Sequence, residues 1–188
     1  AAEALGTFFL LATVVGSGIM AASLSPDDVG LQLLQNSYAT ALALAVLIAV
    51  LGPVSGAHLN PAVSLAERVL DPGARPRSET GLYIAAQVVG CSLGAVLANV
   101  MFDLPAVTLS TTDRADLPRL VAEVVATAGL VGVIFLLVRA GRAALVAPAV
   151  GAYIGAAYYF TSSTSFANPA ITIGRTLSDT FAGIAPGS

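Results

Sequence analysis

Asn60-Pro61-Ala62 recurs as Asn168-Pro169-Ala170, and each triplet heads a short apolar segment rather than a polar loop. Asn is a strong helix N-cap because its side-chain oxygen accepts from the free amides of the first turn. Pro fits that turn, where its missing N–H would have no partner anyway. Each triplet is therefore a compact helix start. With the oxygen engaged in capping, the side-chain NH2 of Asn60 and of Asn168 is left to donate outward. The chemistry on offer is not bond breaking. It is hydrogen-bond donation to a neutral solute, beside a helix end carrying about half a positive elementary charge.

Other reactive residue types are few. The sequence presents no metal-ligating cluster, no nucleophile–base pair and no phosphate-binding loop, so an enzyme is not expected, and neither a cofactor nor a bound metal. The one cysteine, Cys91, lies in an apolar run, cannot form an intrachain disulfide and is expected to serve as a small packing residue. The one histidine, His58, stands two residues before Asn60, a place for a neutral donor or a pH-sensitive group. Glu3 and Glu123 are ionisable groups in or beside apolar runs, positions that suggest function by default.

The elements that carry these residues belong in a bilayer. The chain is 188 residues long, 56% hydrophobic and 10% charged, with a mean hydropathy of +0.86. A soluble domain carries about 25% charged residues. The positive residues are all Arg and scattered, so no basic stripe suggests nucleic acid. A bilayer core takes roughly 20 apolar residues as helix. Stretches 4–22, 34–52, 81–102, 119–138 and 143–161 qualify, while 57–66 and 166–174 are too short to span and read as re-entrant half-helices. The first run has an acidic flank at Glu3, unlike a cleavable signal peptide.

The chain also repeats itself. Glu3-A-L-G-Thr7, a second span and the first triplet are matched by Glu123-V-V-A-Thr127, a fifth span and the second triplet. Three spans in the first half are an odd number, so the second half starts on the opposite face and the halves are inverted. The expected organisation is a first repeat over 1–102, an external connection over 103–118 and a second repeat over 119–188. The second repeat lacks its third span, which predicts a truncated chain. With residue 1 in the cytoplasm, Arg68, Arg75, Arg77, Arg139 and Arg142 fall inside and Arg114, Arg119 and Arg175 outside. That bias agrees with the positive-inside rule and predicts a cytoplasmic N-terminus.

Inverted half-helices bring their two positive ends together near the midplane. The residues ahead of each triplet (Gly56, Ala57, His58 and Leu59; Thr164, Ser165, Phe166 and Ala167) then offer carbonyls without helical partners. Such backbone is tolerable at membrane depth only along a water-filled path. A narrow pore follows, with donors at its centre and acceptors along its length, closed to cations and protons.

The paired triplets, S-G-A-H-L-N-P-A-V at 55–63, Y-I-A-A-Q at 83–87 and the paired Glu-x-x-x-Thr starts together resemble the aquaporin and aquaglyceroporin (major intrinsic protein) family. The resemblance implies an all-α membrane fold with two half-helices, a homotetramer in the plasma membrane and passive flux of small uncharged solutes. It gives Glu3 and Glu123 the role of accepting from the irregular backbone of the re-entrant loops. The family usually carries Arg directly after its second triplet, as one of four filter positions. Here Ile171 stands there, and spacing from the triplets puts the other three at Thr40, Ala156 and Ser165. That ring predicts a wide, weakly polar filter passing water, glycerol and metalloid hydroxides such as arsenite. The tail from Ile171 is similar to a bacterial subgroup linked with arsenic resistance, in which the filter Arg is also replaced.

Arg175 follows Ile171 by four residues and shares its helix face. It is expected to snorkel to the headgroups or pair with Asp179; a positive guard relocated to the outer mouth is the other reading. Gly90-x-x-x-Gly94 and Gly151-x-x-x-Gly155 are expected at close helix contacts, and Tyr158 and Tyr159 as membrane-interface anchors. Three rival functions stand beside the channel: a proton-coupled carrier using Glu3, Glu123 and His58; a strict water channel; and a non-conducting membrane scaffold.

Overall fold

The computed structural model describes residues 1–188 and is entirely helical. Helices α1 (Ala2–Leu24), α2 (Val29–Ser55), α3 (Pro61–Leu70) and α4 (Arg77–Met101) form the first half. The second comprises α5 (Leu117–Arg139), a 3-10 turn at Ala143–Leu145, α6 (Val146–Phe160) and the short α7 (Pro169–Arg175). Five helical stretches are long and apolar enough to cross a membrane: α1, α2, α4, α5 and the run Ala143–Phe160. Their outward faces carry exposed Leu42, Val46 and Val50 on α2 and Val121, Val124 and Leu136 on α5, as lipid contact requires.

The helices outrun the apolar stretches because polar caps start them. Asp28 accepts from the Leu31 amide at 2.8 Å to open α2, and Asp116 accepts from the Arg119 amide at 2.8 Å to open α5. The half-helices start later than their apolar segments, at the Pro of each triplet, and α3 runs on through Glu67 and Arg68. Ahead of the triplets the backbone is bent instead. Ala57, Leu59, Thr164, Ser165 and Ala167 all hold φ between 45° and 62°, the left-handed region that side chains resist.

Close approach fixes the helix pairs. A Cβ on Gly90 would lie 2.9 Å from the Ala4 carbonyl carbon and nearer still to its oxygen. One on Gly94 would sit 3.1 Å from the Ala12 nitrogen, so α4 packs directly onto the backbone of α1. A Cβ on Gly151 would lie 2.6 Å from the Ala41 oxygen, so α6 seats on α2 in the same way. Cys91 is fully buried in this core. Helix α1 also touches α2 and α7, which makes it the central helix of the bundle.

The connection between α4 and α5 lies along the C-terminal tail. Thr108 and Ser110 donate their amides to the Leu177 and Thr176 carbonyls at 3.1 and 3.0 Å. Asn99 reaches across to the Leu177 carbonyl at 3.1 Å and accepts from Ser178 at 2.7 Å.

Candidate solute pore

The two triplets meet head to head. Asn60 Oδ1 accepts from the Ala62 amide at 2.8 Å, and Asn168 Oδ1 from the Ala170 and Ile171 amides at 3.1 and 3.3 Å. Each side chain thus caps its own helix. The NH2 groups are not wholly free, however. Asn60 Nδ2 donates to the Ala167 carbonyl at 2.6 Å, and Asn168 Nδ2 to the Leu59 carbonyl at 2.8 Å. One hydrogen of each amide ties the two halves together, and the second makes no bond to the protein. The Leu59 and Ala167 carbonyls each take one donor in this tie and keep a second lone pair.

Each bent loop is held from behind by a carboxylate. Glu3 accepts at Oε1 from Ser55 Oγ (2.6 Å) and the His58 amide (3.1 Å), and at Oε2 from the Leu59 amide (2.7 Å) and Gln87 Nε2 (2.7 Å). Glu123 accepts from the Phe166 and Ala167 amides at 2.9 and 2.7 Å. These bonds satisfy amides that helical pairing cannot reach, and they hold loops whose left-handed residues would otherwise relax.

A cavity of about 790 Å³ runs between the halves, past both Asn residues. Gly56, Ala57, His58, Leu59, Ser165, Phe166 and Ala167 line it, and Thr164 does not. At one end stand Glu67, Asp71 and Arg139. There His58 Nε2 lies 3.2 Å from Glu67, its Nδ1 3.0 Å from Ser64 Oγ, and Arg75 Nε donates to Glu67 at 2.7 Å. Arg75 also stacks on Tyr83, 4.5 Å from the ring centre, and donates to the Ser55 carbonyl at 3.0 Å. That cluster braces the foot of the first loop, and nothing in the spacing of its members announced it.

At the other end the structure corrects three expectations. Thr40, Ser165 and Ile171 line the cavity, but Ala156 is exposed on the outer face of α6. Tyr158 stands in the ring instead, buried, with its hydroxyl donating to Thr40 Oγ1 at 3.2 Å. Two residues along a helix turn the side chain by about 200°, so a small slip in spacing picks the wrong face. The buried series Val150, Ile154 and Tyr158, at steps of four, was the signal that could have found it. Tyr158 is therefore not an interface anchor, although Tyr159 is exposed. Arg175, third, neither snorkels nor pairs with Asp179. It is only 4% exposed, lies over the Phe166 ring 3.6 Å from its centre, and donates from Nε to the Ala182 carbonyl. Asp179 turns away to accept from the Thr111 amide at 3.0 Å, and that bond holds its carboxyl below the usual range.

The proton-carrier reading finds little support in this geometry. Glu3 is outside the cavity lining, and every contact of its carboxylate is with a donor.

Comparison with known proteins agrees with this architecture. A model of the family described as "Major intrinsic protein" matches residues 1–165. The chain is 50% identical over 186 residues to aquaglyceroporin AqpS of Rhizobium meliloti, covering 99% of this chain and 78% of that protein. It is 37% identical over 102 residues to aquaporin Z of Bradyrhizobium diazoefficiens, and 36% over 103 residues to aquaporin NIP1-1 of Arabidopsis thaliana. Those matches cover 54% and 55% of this chain, and 40% and 33% of the two proteins.

Proposed function

The chain belongs to the major intrinsic protein family of passive channels for water and small solutes, and we propose that its pore passes uncharged solutes larger than water. Glycerol and trivalent metalloid hydroxides such as As(OH)3 are the solutes intended. The observation that carries this reading is Ile171. It lines the cavity at the first turn of α7, immediately after the capping triplet, and brings neither charge nor donor to the ring. Position 171 itself sets no guanidinium across the ring, so a broader and less polar molecule loses less on desolvation there. The name of the relative AqpS, an aquaglyceroporin, supports the same solute class.

The filter assigned here comprises Thr40, Tyr158, Ser165 and Ile171, and the pore centre Asn60 and Asn168. Acceptors along the path are the carbonyls of Gly56, Ala57, His58, Leu59, Ser165, Phe166 and Ala167, with Glu3 and Glu123 as loop supports. The working unit is a homotetramer in the plasma membrane with a cytoplasmic N-terminus. Its inverted repeats occupy 1–102 and 119–188, joined by an external connection. The function is transport without catalysis.

A strict water channel is the second reading, and Tyr158 favours it, because its ring narrows a filter that Ala156 would have left open. Stopped-flow shrinkage of proteoliposomes decides between them. Wild-type vesicles are expected to pass water, glycerol and As(OH)3, and Ile171→Arg to lower the two larger solutes at least tenfold more than water. Wild-type vesicles that pass water and exclude both larger solutes would establish the second reading.

A further inference from the structure

Arg175 is the one guanidinium enclosed by the bundle. It lines the cavity, is 4% exposed, and takes part in none of the four ion pairs. Its sole hydrogen bond runs from Nε to the Ala182 carbonyl. The charge is delocalised over the whole fork, and its two terminal nitrogens have no protein partner. A buried charge without a counter-ion is costly unless polar groups or water meet it. Here the face of Phe166, 3.6 Å below, offsets part of that cost and also fixes the plane of the fork. Beside it, Ser165 Oγ is buried and has no hydrogen-bond partner. Two polar groups without protein partners therefore belong to the same end of one cavity, next to Tyr158 and Thr40.

We propose that Arg175 is the charge guard of this pore, barring cations from its outer half while offering its free N–H donors, with Ser165 Oγ, to the oxygens of neutral solutes. This rests on the solute-pore reading above and adds a residue to it. Arg175 lies four residues beyond Ile171 on the same helix face, about 6 Å further along the axis. The guanidinium itself turns back over Phe166, beside Ser165, so the charge stands at the wall of the filter ring. A filter with Ile171 in place of a charge can then remain closed to cations through Arg175.

The test uses two planar molecules of nearly one shape, neutral urea and cationic guanidinium. Urea flux is measured in proteoliposomes by stopped flow with guanidinium on both sides, so that a cation reaching the outer half registers as block even if the midplane stops its passage. Wild-type urea flux should resist guanidinium. Arg175→Met, its urea flux scaled to its own value without guanidinium, should become guanidinium-sensitive, with a half-blocking concentration roughly a hundredfold lower. That is the scale of repulsion between unit charges 5–6 Å apart at an effective dielectric of about 20. Arg175→Lys should restore resistance, because the charge is kept; a merely structural role would not separate Lys from Met in this way. The proposal is overturned if Arg175→Met conducts urea and resists guanidinium like wild type. It is also overturned if wild-type flux is itself blocked at low concentration, a result that needs no variant. Should Arg175→Met not insert, Arg175→Gln provides the same neutral arm. Wild-type vesicles without urea or glycerol flux overturn the pore reading and the guard with it, whereas intact flux with an indifferent position 175 overturns the guard alone.

Discussion

Removing the carboxylate of Glu3 should loosen the first re-entrant loop before it affects anything else. Glu3 is 3% exposed and accepts four hydrogen bonds, two of them from the His58 and Leu59 amides. In Glu3→Ala both amides and the Gln87 NH2 lose an acceptor inside the bundle. An unpaired buried donor costs about 1–3 kcal/mol, so the two amides alone amount to about 4 kcal/mol. The loop has reason to yield, since Ala57 and Leu59 sit at φ 47° and 50°, strain of about 1–3 kcal/mol each that the carboxylate holds in place. Glu3→Gln keeps one acceptor oxygen but turns an NH2 toward the remaining donors, and about half the loss is expected. At roughly 2–4 °C per kcal/mol for a chain of this size, the melting temperature in detergent should fall by about 12 °C for Ala and about 6 °C for Gln. Glycerol flux per inserted protein should fall in the same order. The reasoning is refuted if both variants melt like wild type while flux is lost. That pattern would mark Glu3 as a working proton group and revive the carrier.

Further outcomes follow from the packing and from the connection between α4 and α5. Gly90→Ala should cost about 1–3 kcal/mol by forcing α4 off α1, because its Cβ would meet the Ala4 carbonyl. Gly132→Ala on α5, with nothing within 4 Å, should be neutral or slightly stabilising in the same melting assay. Asp179 titrates below the ordinary carboxylate range when folded because the Thr111 amide donates to it. Its contribution is therefore complete above about pH 3.9 and is lost as pH falls through the lower folded value. Pepsin should cut the 103–116 connection faster at pH 2 than at pH 4 relative to an unfolded control, and Asp179→Asn should shrink that difference, leaving the part due to Asp113, which is lowered in the same way by the Ala115 amide and Ser188.

Much of this molecule follows from composition and from two short words in the chain. Span-length apolar runs leave helices as the only economical way to satisfy a backbone in lipid, so five of them were legible from hydropathy. Asn followed by Pro starts a helix by local chemistry alone, and so both half-helices and their caps were readable. The Gly90 and Gly94 contact was legible for the same reason, since small residues one turn apart invite a neighbouring backbone.

What local pattern could not decide was which way a side chain turns once helices pack. Ala156 and Tyr158 differ by about 200° around α6, and only the seating of Gly151 on α2 turns Tyr158 inward to meet Thr40. The free NH2 expected of Asn60 and Asn168 became a tie between the halves, because its acceptors lie more than a hundred residues away in sequence. Arg175 makes the point most plainly. By itself, an Arg at the end of a short half-helix, four residues before an Asp, reads as a surface group. The tail beyond it folds back to present the Ala182 carbonyl, the loop before the triplet presents the Phe166 face, and Asp179 is drawn off to Thr111. Those three partners come from separate stretches of chain, and their convergence encloses the charge in the cavity and leaves it without a counter-ion.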